Sequence, residues 1–160
     1  SIELYEAVYM YENLLRNSEM TLHYSKEPDS YFISGDRHRM KQVFLNIIDN
    51  AAKYGRSGGK IEVALSRDED TIVVCVRDWG PGIPEAELPF VKEKFYKGSS
   101  KQRGSGIGLA VTDEIVTMHG GSLDITSKQG AGTAVYIRIP AADPVVAAEP
   151  TPEPMEDIEP

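Results

Sequence analysis

The sequence predicts an α/β (α+β) two-layer sandwich with a mixed sheet, and three observations carry that prediction. Strand-like and helix-like stretches are interleaved along the chain, with several hairpin-like links. Residues 37–54 repeat their apolar side chains at spacings of three and four, so one face of a helix is built to pack on another layer. The run TIVVCVR is apolar at nearly every position, as expected of a strand in the middle of a sheet.

Taken in order, residues 2–20 place Leu4, Val8, Tyr11, Leu14 and Leu15 on one helical stripe. TLHYS and YFISG are expected as short strands around a turn at Pro28-Asp29. Asp36 is the expected N-cap of a helix from Arg37 to Tyr54, which Gly55 ends. KIEVALS and TIVVCVR are two strands joined by the polar stretch RDED. After Asp78 comes the loop DWGPGIP, then a short helix over Glu85–Phe95. KGSSKQRGSG has no apolar side chain and is expected to be mobile. A helix from Ile107 to about His119 stops at Gly120-Gly121, and the strands SLDITS and TAVYIRIP follow across the turn KQGAG.

The 160 residues suit one domain with its own core. The net charge of −8 is unevenly placed: residues 141–160 hold six acidic groups, no basic ones, five of the ten prolines and no aromatic. The remaining 140 residues carry 19 acidic and 17 basic groups, so no basic excess points to nucleic acid. The tail cannot bury enough surface to order itself and reads as a linker or terminal extension. No apolar run reaches membrane-spanning length, and no signal-peptide pattern opens the sequence. Cys75 has no partner for an internal disulfide and, inside TIVVCVR, reads as a small buried residue.

Three stretches carry chemistry. On the helix of residues 37–54, Met40, Phe44, Ile47, Ile48 and Ala51 form the core stripe. Asn46, Asn50 and Lys53 form a second stripe with Tyr54 on its flank. Two asparagines one turn apart can aim oxygens at one point beside a positive charge, which suits magnesium shared with phosphates. An exposed polar helix face explains the same residues. Asp78, Gly80, Gly82 and Ile83 follow a buried strand directly, where sheet proteins place ligand contacts. An ionised carboxylate there accepts from an exocyclic amine such as that of adenine, or it caps a local turn. Finally Gly104, Ser105, Gly106, Ile107, Gly108 and Leu109 lead into a helix, whose free N–H groups accept an anion. No strand precedes this turn and no Walker sequence occurs, so neither a dinucleotide fingerprint nor a P-loop applies. Lys97, Lys101 and Arg103 stand just before it, as a basic lid or as a solvated loop.

The order of these elements resembles the catalytic, ATP-binding domain of bacterial sensor histidine kinases, in the superfamily of gyrase, chaperone, histidine kinase and mismatch-repair ATPases. The resemblance covers about residues 20–140. It implies the Bergerat ATP-binding fold, a mixed five-stranded sheet packed on three helices. Asn46 and Asn50 match the magnesium-coordinating asparagines, Lys53 the phosphate-contacting lysine and Tyr54 an aromatic lining the nucleotide. Asp78 matches the adenine-reading aspartate, with Gly80, Gly82 and Ile83 behind it. Phe95 and Tyr96 resemble the aromatic pair that anchors the lid, and Lys97 a phosphate-binding cation. Arg103, Gly104, Ser105, Gly106, Ile107, Gly108 and Leu109 match the phosphate-cradling box. Gly130, Gly132 and Thr133 are similar to the last glycine box beside the adenine pocket.

Asn46 stands where ATP-hydrolysing members carry a glutamate base, and an amide cannot take up a proton at neutral pH. That substitution favours phosphate transfer to a protein over hydrolysis, with Asn46, Lys53 and Lys97 as the catalytic set. None of His23, His38 and His119 suits the role of acceptor. The resemblance therefore implies a helix over 1–20 leading to an absent, histidine-bearing dimerisation domain, a catalytic domain over 21–140 and a disordered tail over 141–160. It also implies ATP and magnesium as cofactors and a response regulator downstream. The domain is expected to be a cytoplasmic monomer that touches neither nucleic acid nor membrane, from a parent that is soluble or anchored in the cell membrane. A nucleotide-binding module without transfer, and a serine kinase of the anti-sigma-factor type, are the alternatives.

Overall fold

The computed structural model describes residues 2–15, 20–29, 31–90 and 108–142. Among them the elements are α1 (Ile2–Leu14), β1 (Thr21–Lys26), α2 (Arg37–Tyr54), β2 (Lys60–Asp68), β3 (Thr71–Asp78), α3 (Gly108–Met118), β4 (Ser122–Lys128) and β5 (Gly132–Pro140). The five strands make one sheet in the order β1-β2-β3-β5-β4. β1 runs parallel to β2, with Thr21 opposite Lys60, and the other three pairings are antiparallel. A parallel neighbour needs a crossover, and α2 supplies it. The expected mixed five-stranded sheet on three helices is the fold found.

Alternation along each strand sends one set of side chains to the helices. Ile61, Val63 and Leu65 of β2, Ile72, Val74 and Val76 of β3, and Val135, Ile137 and Ile139 of β5 are all buried. They meet Val43, Phe44, Ile47 and Ile48 of α2 and Ile115 and Val116 of α3 in one core. The opposite face carries Glu62, Arg77, Asp124 and Arg138 into solvent, with Arg138 Nη1 3.0 Å from Asp124 Oδ2. One polar and one apolar sheet face is what a two-layer sandwich requires.

Three expectations are corrected. YFISG forms no strand, because β1 takes its partner from β2 in parallel and not from a hairpin. The segment is held instead by the Ala142 N–H donating to the Phe32 carbonyl at 2.7 Å and by the Tyr31 hydroxyl donating to the Glu27 carbonyl at 2.5 Å. Where a short helix was expected over 85–95, a single 3-10 turn spans Leu88–Phe90, and the residues after Phe90 lie outside those described. In α1 the expected stripe holds at Val8, Tyr11 and Leu15, which meet the core together with Ala7, whereas Leu14 is exposed.

The ends of α2 and α3 are clasped together. Asp36 caps α2, its Oδ1 accepting from the N–H groups of His38 at 2.9 Å and Arg39 at 3.2 Å. The Asp36 N–H in turn donates to His119 Nε2 at 3.0 Å, and His119 Nδ1 lies 2.8 Å from the Ile115 carbonyl. With Nε2 accepting, the ring proton sits on Nδ1 and closes the α3 terminus. A side chain at Gly35 would occupy the space of the His119 ring. His119 is thus structural, and the clasp fixes how α2 presents its second stripe.

Candidate functional site

Asn46 and Asn50 sit one turn apart on α2, half-buried, beside Ile47 and Ala51 of the core stripe. The Asn46 amide Nδ2 donates to Thr112 Oγ1 of α3 at 3.3 Å. Thr112 has no exposed surface, so this bond turns the amide nitrogen inward and leaves Oδ1 for other partners. Lys53 is exposed, and its Nζ lies 3.0 Å from Asp49 Oδ2. Tyr54 ends the helix, with Gly55 as the C-cap whose N–H returns to the Ala51 carbonyl.

Asp78 is the last residue of β3, paired with Ile61 on one side and Thr133 of β5 on the other. Only 5% of it is exposed. Its Oδ1 accepts from the Gly80 N–H at 2.9 Å, the local turn bond that its position suggested. Burial pushes its carboxyl above the ordinary value, against the lowering effect of backbone N–H groups of Gly80 and Thr133. A carboxylate kept at such a cost, and not neutralised by a basic partner among the described residues, is a functional-site signature.

Several small residues exist to seat it. A Cβ on Gly55 would stand 2.5 Å from Asp78 Cγ and 2.7 Å from the Ala51 carbonyl oxygen, so only glycine lets the α2 terminus lie against this carboxylate. Gly132, at φ +98°, presses its backbone on Asp78, where a Cβ would also come within 2.9 Å of Trp79 Cα. Around the corner the Ser127 hydroxyl accepts from the Ile83 N–H at 2.7 Å, donates to the Gly132 carbonyl at 2.9 Å, and lies 2.8 Å from Thr133 Oγ1. The Gly130 N–H donates to the Pro81 carbonyl at 2.7 Å. The DWGPGIP loop and the KQGAG turn, far apart in sequence, are therefore stitched into one rim.

The rim borders a cleft open to solvent, with about 610 Å³ of space among the described residues. Ile47, Ala51, Val76, Ile125 and Val135 give it apolar lining, while Asn50, Asp78 and Thr133 supply the polar groups. Pro81, Gly82, Ile83 and Leu109 complete it. An apolar slot with a few convergent polar groups is the usual form of a small-molecule site.

The structure thus brings Asn50, Asp78, Gly82, Ile83, Leu109 and Thr133 to one cleft, with Gly80 buried behind and Asn46 beside α3. Gly108 opens α3. Lys53 lies one turn beyond Asn50 on α2 and bonds outward to Asp49. Phe95, Tyr96, Lys97, Arg103, Gly104, Ser105, Gly106 and Ile107 lie outside the described residues. Thr112 and Ser127 were not legible as site residues, since no local pattern marks either. Gly55 read only as a helix end. Its contact with Asp78 is long-range.

Magnesium fits this donor set. Among the described residues no group of three His, Cys, Asp or Glu could hold a metal ion unaided. Asn46 and Asn50, one turn apart on α2, offer side-chain oxygens of the kind taken by a cation that keeps waters and shares phosphate ligands.

Comparison with known proteins places this geometry in context. The family described as histidine kinase-, DNA gyrase B-, and HSP90-like ATPase matches residues 35–143. Sporulation kinase A of Bacillus subtilis (strain 168) is 40% identical over 116 residues, covering 72% of this chain and 19% of that protein. The signal transduction histidine-protein kinase/phosphatase MprB of Mycobacterium leprae (strain TN) is 32% identical over 157 residues, covering 94% of this chain and 30% of that protein. Among solved structures, a mycobacterial sensor histidine kinase MprB superposes with a TM-score of 0.77 at 29% identity, covering 89% of this chain and 95% of that one. The chain spans 19% and 30% of the length of these two curated relatives.

Proposed function

Because the chain belongs to the family of histidine kinase-, DNA gyrase B- and HSP90-like ATPases, we propose that it binds Mg-ATP and donates the γ-phosphate to a histidine on a separate dimerisation domain. The single observation that carries this reading is Asp78, a buried carboxylate lining an apolar cleft. In that role the carboxylate accepts from the adenine amine while Ile47, Ala51 and Val135 cover the ring. Asn50 and the Asn46 Oδ1, oriented by Thr112, face the phosphates from α2. Magnesium, which Asn46 and Asn50 would hold, would supply charge neutralisation at the phosphates. Lys53 and Lys97 add positive charge as the phosphoryl group leaves, and the amide at position 46 takes no proton from water. Catalysis is then positioning and electrostatics. The acceptor imidazole nitrogen forms the new P–N bond as the bond to the ADP oxygen breaks.

The relatives' names support the kinase reading, and on that reading a response regulator is the next acceptor. No helix among the described residues is long and apolar enough to cross a membrane. Titration calorimetry with ATP and magnesium tests the binding half, and absence of heat with ATP and with ADP overturns it. Labelled ATP, mixed with the chain and a dimerisation domain from the same parent, tests the transfer half. Acid-labile label on the dimerisation domain is expected. Acid-stable label on a protein partner would instead indicate a serine kinase.

A further inference from the structure

The Tyr11 hydroxyl of α1 donates to Asp49 Oδ1 at 2.8 Å, across 38 positions of sequence. The other oxygen of the same carboxylate, Oδ2, lies 3.0 Å from Lys53 Nζ. One side chain therefore ties the first helix to the cation that the preceding reading gives to the phosphates. The contact is not incidental to the packing. Ala7 is fully buried and Val8 2% exposed where α1 packs, and Lys41 Nζ lies 3.7 Å from Glu6 Oε1 further along the same pair of helices. Burial and the neighbouring carboxylate keep the Tyr11 phenol protonated, so it stays a donor.

A pair between residues four apart on a helix, its lysine exposed and its aspartate half-buried, is by itself worth little. Here the carboxylate rotamer is fixed from a second helix, which lowers the entropy cost of holding it near the ammonium. We infer that Asp49 is a positioning residue through which α1 governs Lys53: held by Tyr11, its carboxylate competes with a bound polyphosphate for the Lys53 ammonium. The inference rests on the reading of the cleft as an ATP site. A shift of α1 that breaks the Tyr11 bond releases the carboxylate to solvent and Lys53 to the nucleotide. Any element joined to α1 would then act on affinity without touching the cleft.

The test is a binding cycle on the full chain, read by calorimetry with Mg-ATP and with adenosine. Asp49→Asn keeps an acceptor for Tyr11 but removes the charge facing Lys53. It is expected to tighten Mg-ATP about fivefold, a modest coupling energy, and to leave adenosine unchanged. On a Lys53→Gln background the same substitution is expected to do nothing. Tyr11→Phe should tighten Mg-ATP about twofold, as befits loss of a restraint and not of the charge, and should have no effect in the Asp49→Asn chain. A merely structural pin predicts changed melting temperature with unchanged ATP affinity, or an effect that survives Lys53→Gln, and either result overturns the inference. If Asp49→Asn fails to fold, Tyr11→Phe alone decides: unchanged or weakened ATP binding rejects the link. Wild-type chain that binds adenosine but shows no gain from phosphates rejects this inference, whereas a chain that binds neither ligand rejects the ATP site itself.

Discussion

The two ends of the cleft are built on opposite principles. At one end Asp78 is 5% exposed and held by backbone N–H groups, with Gly55 and Gly132 pressed against it and Ser127 bracing the rim. At the other, Asn50 lines the cleft half-buried; one turn to either side of it on α2 stand Asn46, half-buried and bonded to Thr112 at 3.3 Å, and Lys53, exposed. The first end is preorganised and pays for it in desolvation. The second is adaptable, which would suit the polyanion and cation of the proposed function, since both bring their own charges and waters. Recognition of the base should therefore fail abruptly when its seat is disturbed. Grip on the phosphates should change by degrees.

The largest expected effect comes from overpacking the rigid end. Gly55→Ala puts a methyl group 2.5 Å from Asp78 Cγ and 2.7 Å from the Ala51 carbonyl, with backbone on one side and a buried carboxylate on the other. Relief requires the helix end or the carboxylate to move, at a cost of about 1–3 kcal/mol. Thermal unfolding should show the loss, and ATP binding should fall below that of any phosphate-end variant. Wild-type affinity in Gly55→Ala would mean that the seat is soft.

Asp78→Asn separates the two uses of the same group. It removes the charged acceptor from the proposed adenine contact, which should cost about 1–3 kcal/mol of ATP affinity. It also removes a buried charge, so the unliganded chain should melt no lower than wild type. Calorimetry and thermal unfolding on the same sample check both. Loss of stability alongside loss of binding would show that the carboxylate serves the fold first.

Thr112→Val addresses the adaptable end. The isosteric change deletes the partner of the Asn46 amide and frees the side chain to rotate. About 1 kcal/mol of Mg-ATP affinity should be lost, with adenosine binding untouched. An equal loss for both ligands would place the defect in packing between α2 and α3.

This division also explains what could be read from the sequence. Met40, Phe44, Ile47, Ile48 and Ala51 repeat at helical spacing and are all buried, because local periodicity and burial share one cause. Asp36 and Gly55 marked the ends of α2 for the same local reason. The order of Asn46, Asn50, Asp78 and the glycine box pointed to the site only through family resemblance. YFISG was misread because alternation cannot tell a strand from a segment whose partners are Ala142 and Leu65, distant in sequence. Thr112, Ser127 and the contact of Gly55 with Asp78 depend on tertiary placement of α3, β4 and β3. No window of neighbouring residues contains that information.

The smallest effect, and the one that tests the contrast most directly, is in pH. Burial raises the Asp78 carboxyl above the ordinary 3.8, the hydrogen bonds from Gly80 and Thr133 offsetting part of the rise. In the folded chain this group therefore takes up its proton before the unfolded chain does as pH falls. Folding then gains stability from Asp78 as pH drops through the raised value, a gain complete once pH is below 3.8. Nucleotide binding runs the other way, since the proposed amine contact needs the ionised acceptor. As pH falls through the raised value the wild-type chain should lose ATP affinity, while Asp78→Asn shows neither this loss nor the accompanying gain in stability. Subtracting the two profiles cancels the acid titration of the nucleotide and of every other carboxylate. If the difference is flat, Asp78 is neither strained by burial nor engaged by the base. The cleft's rigid end would then owe its order to the glycine contacts alone.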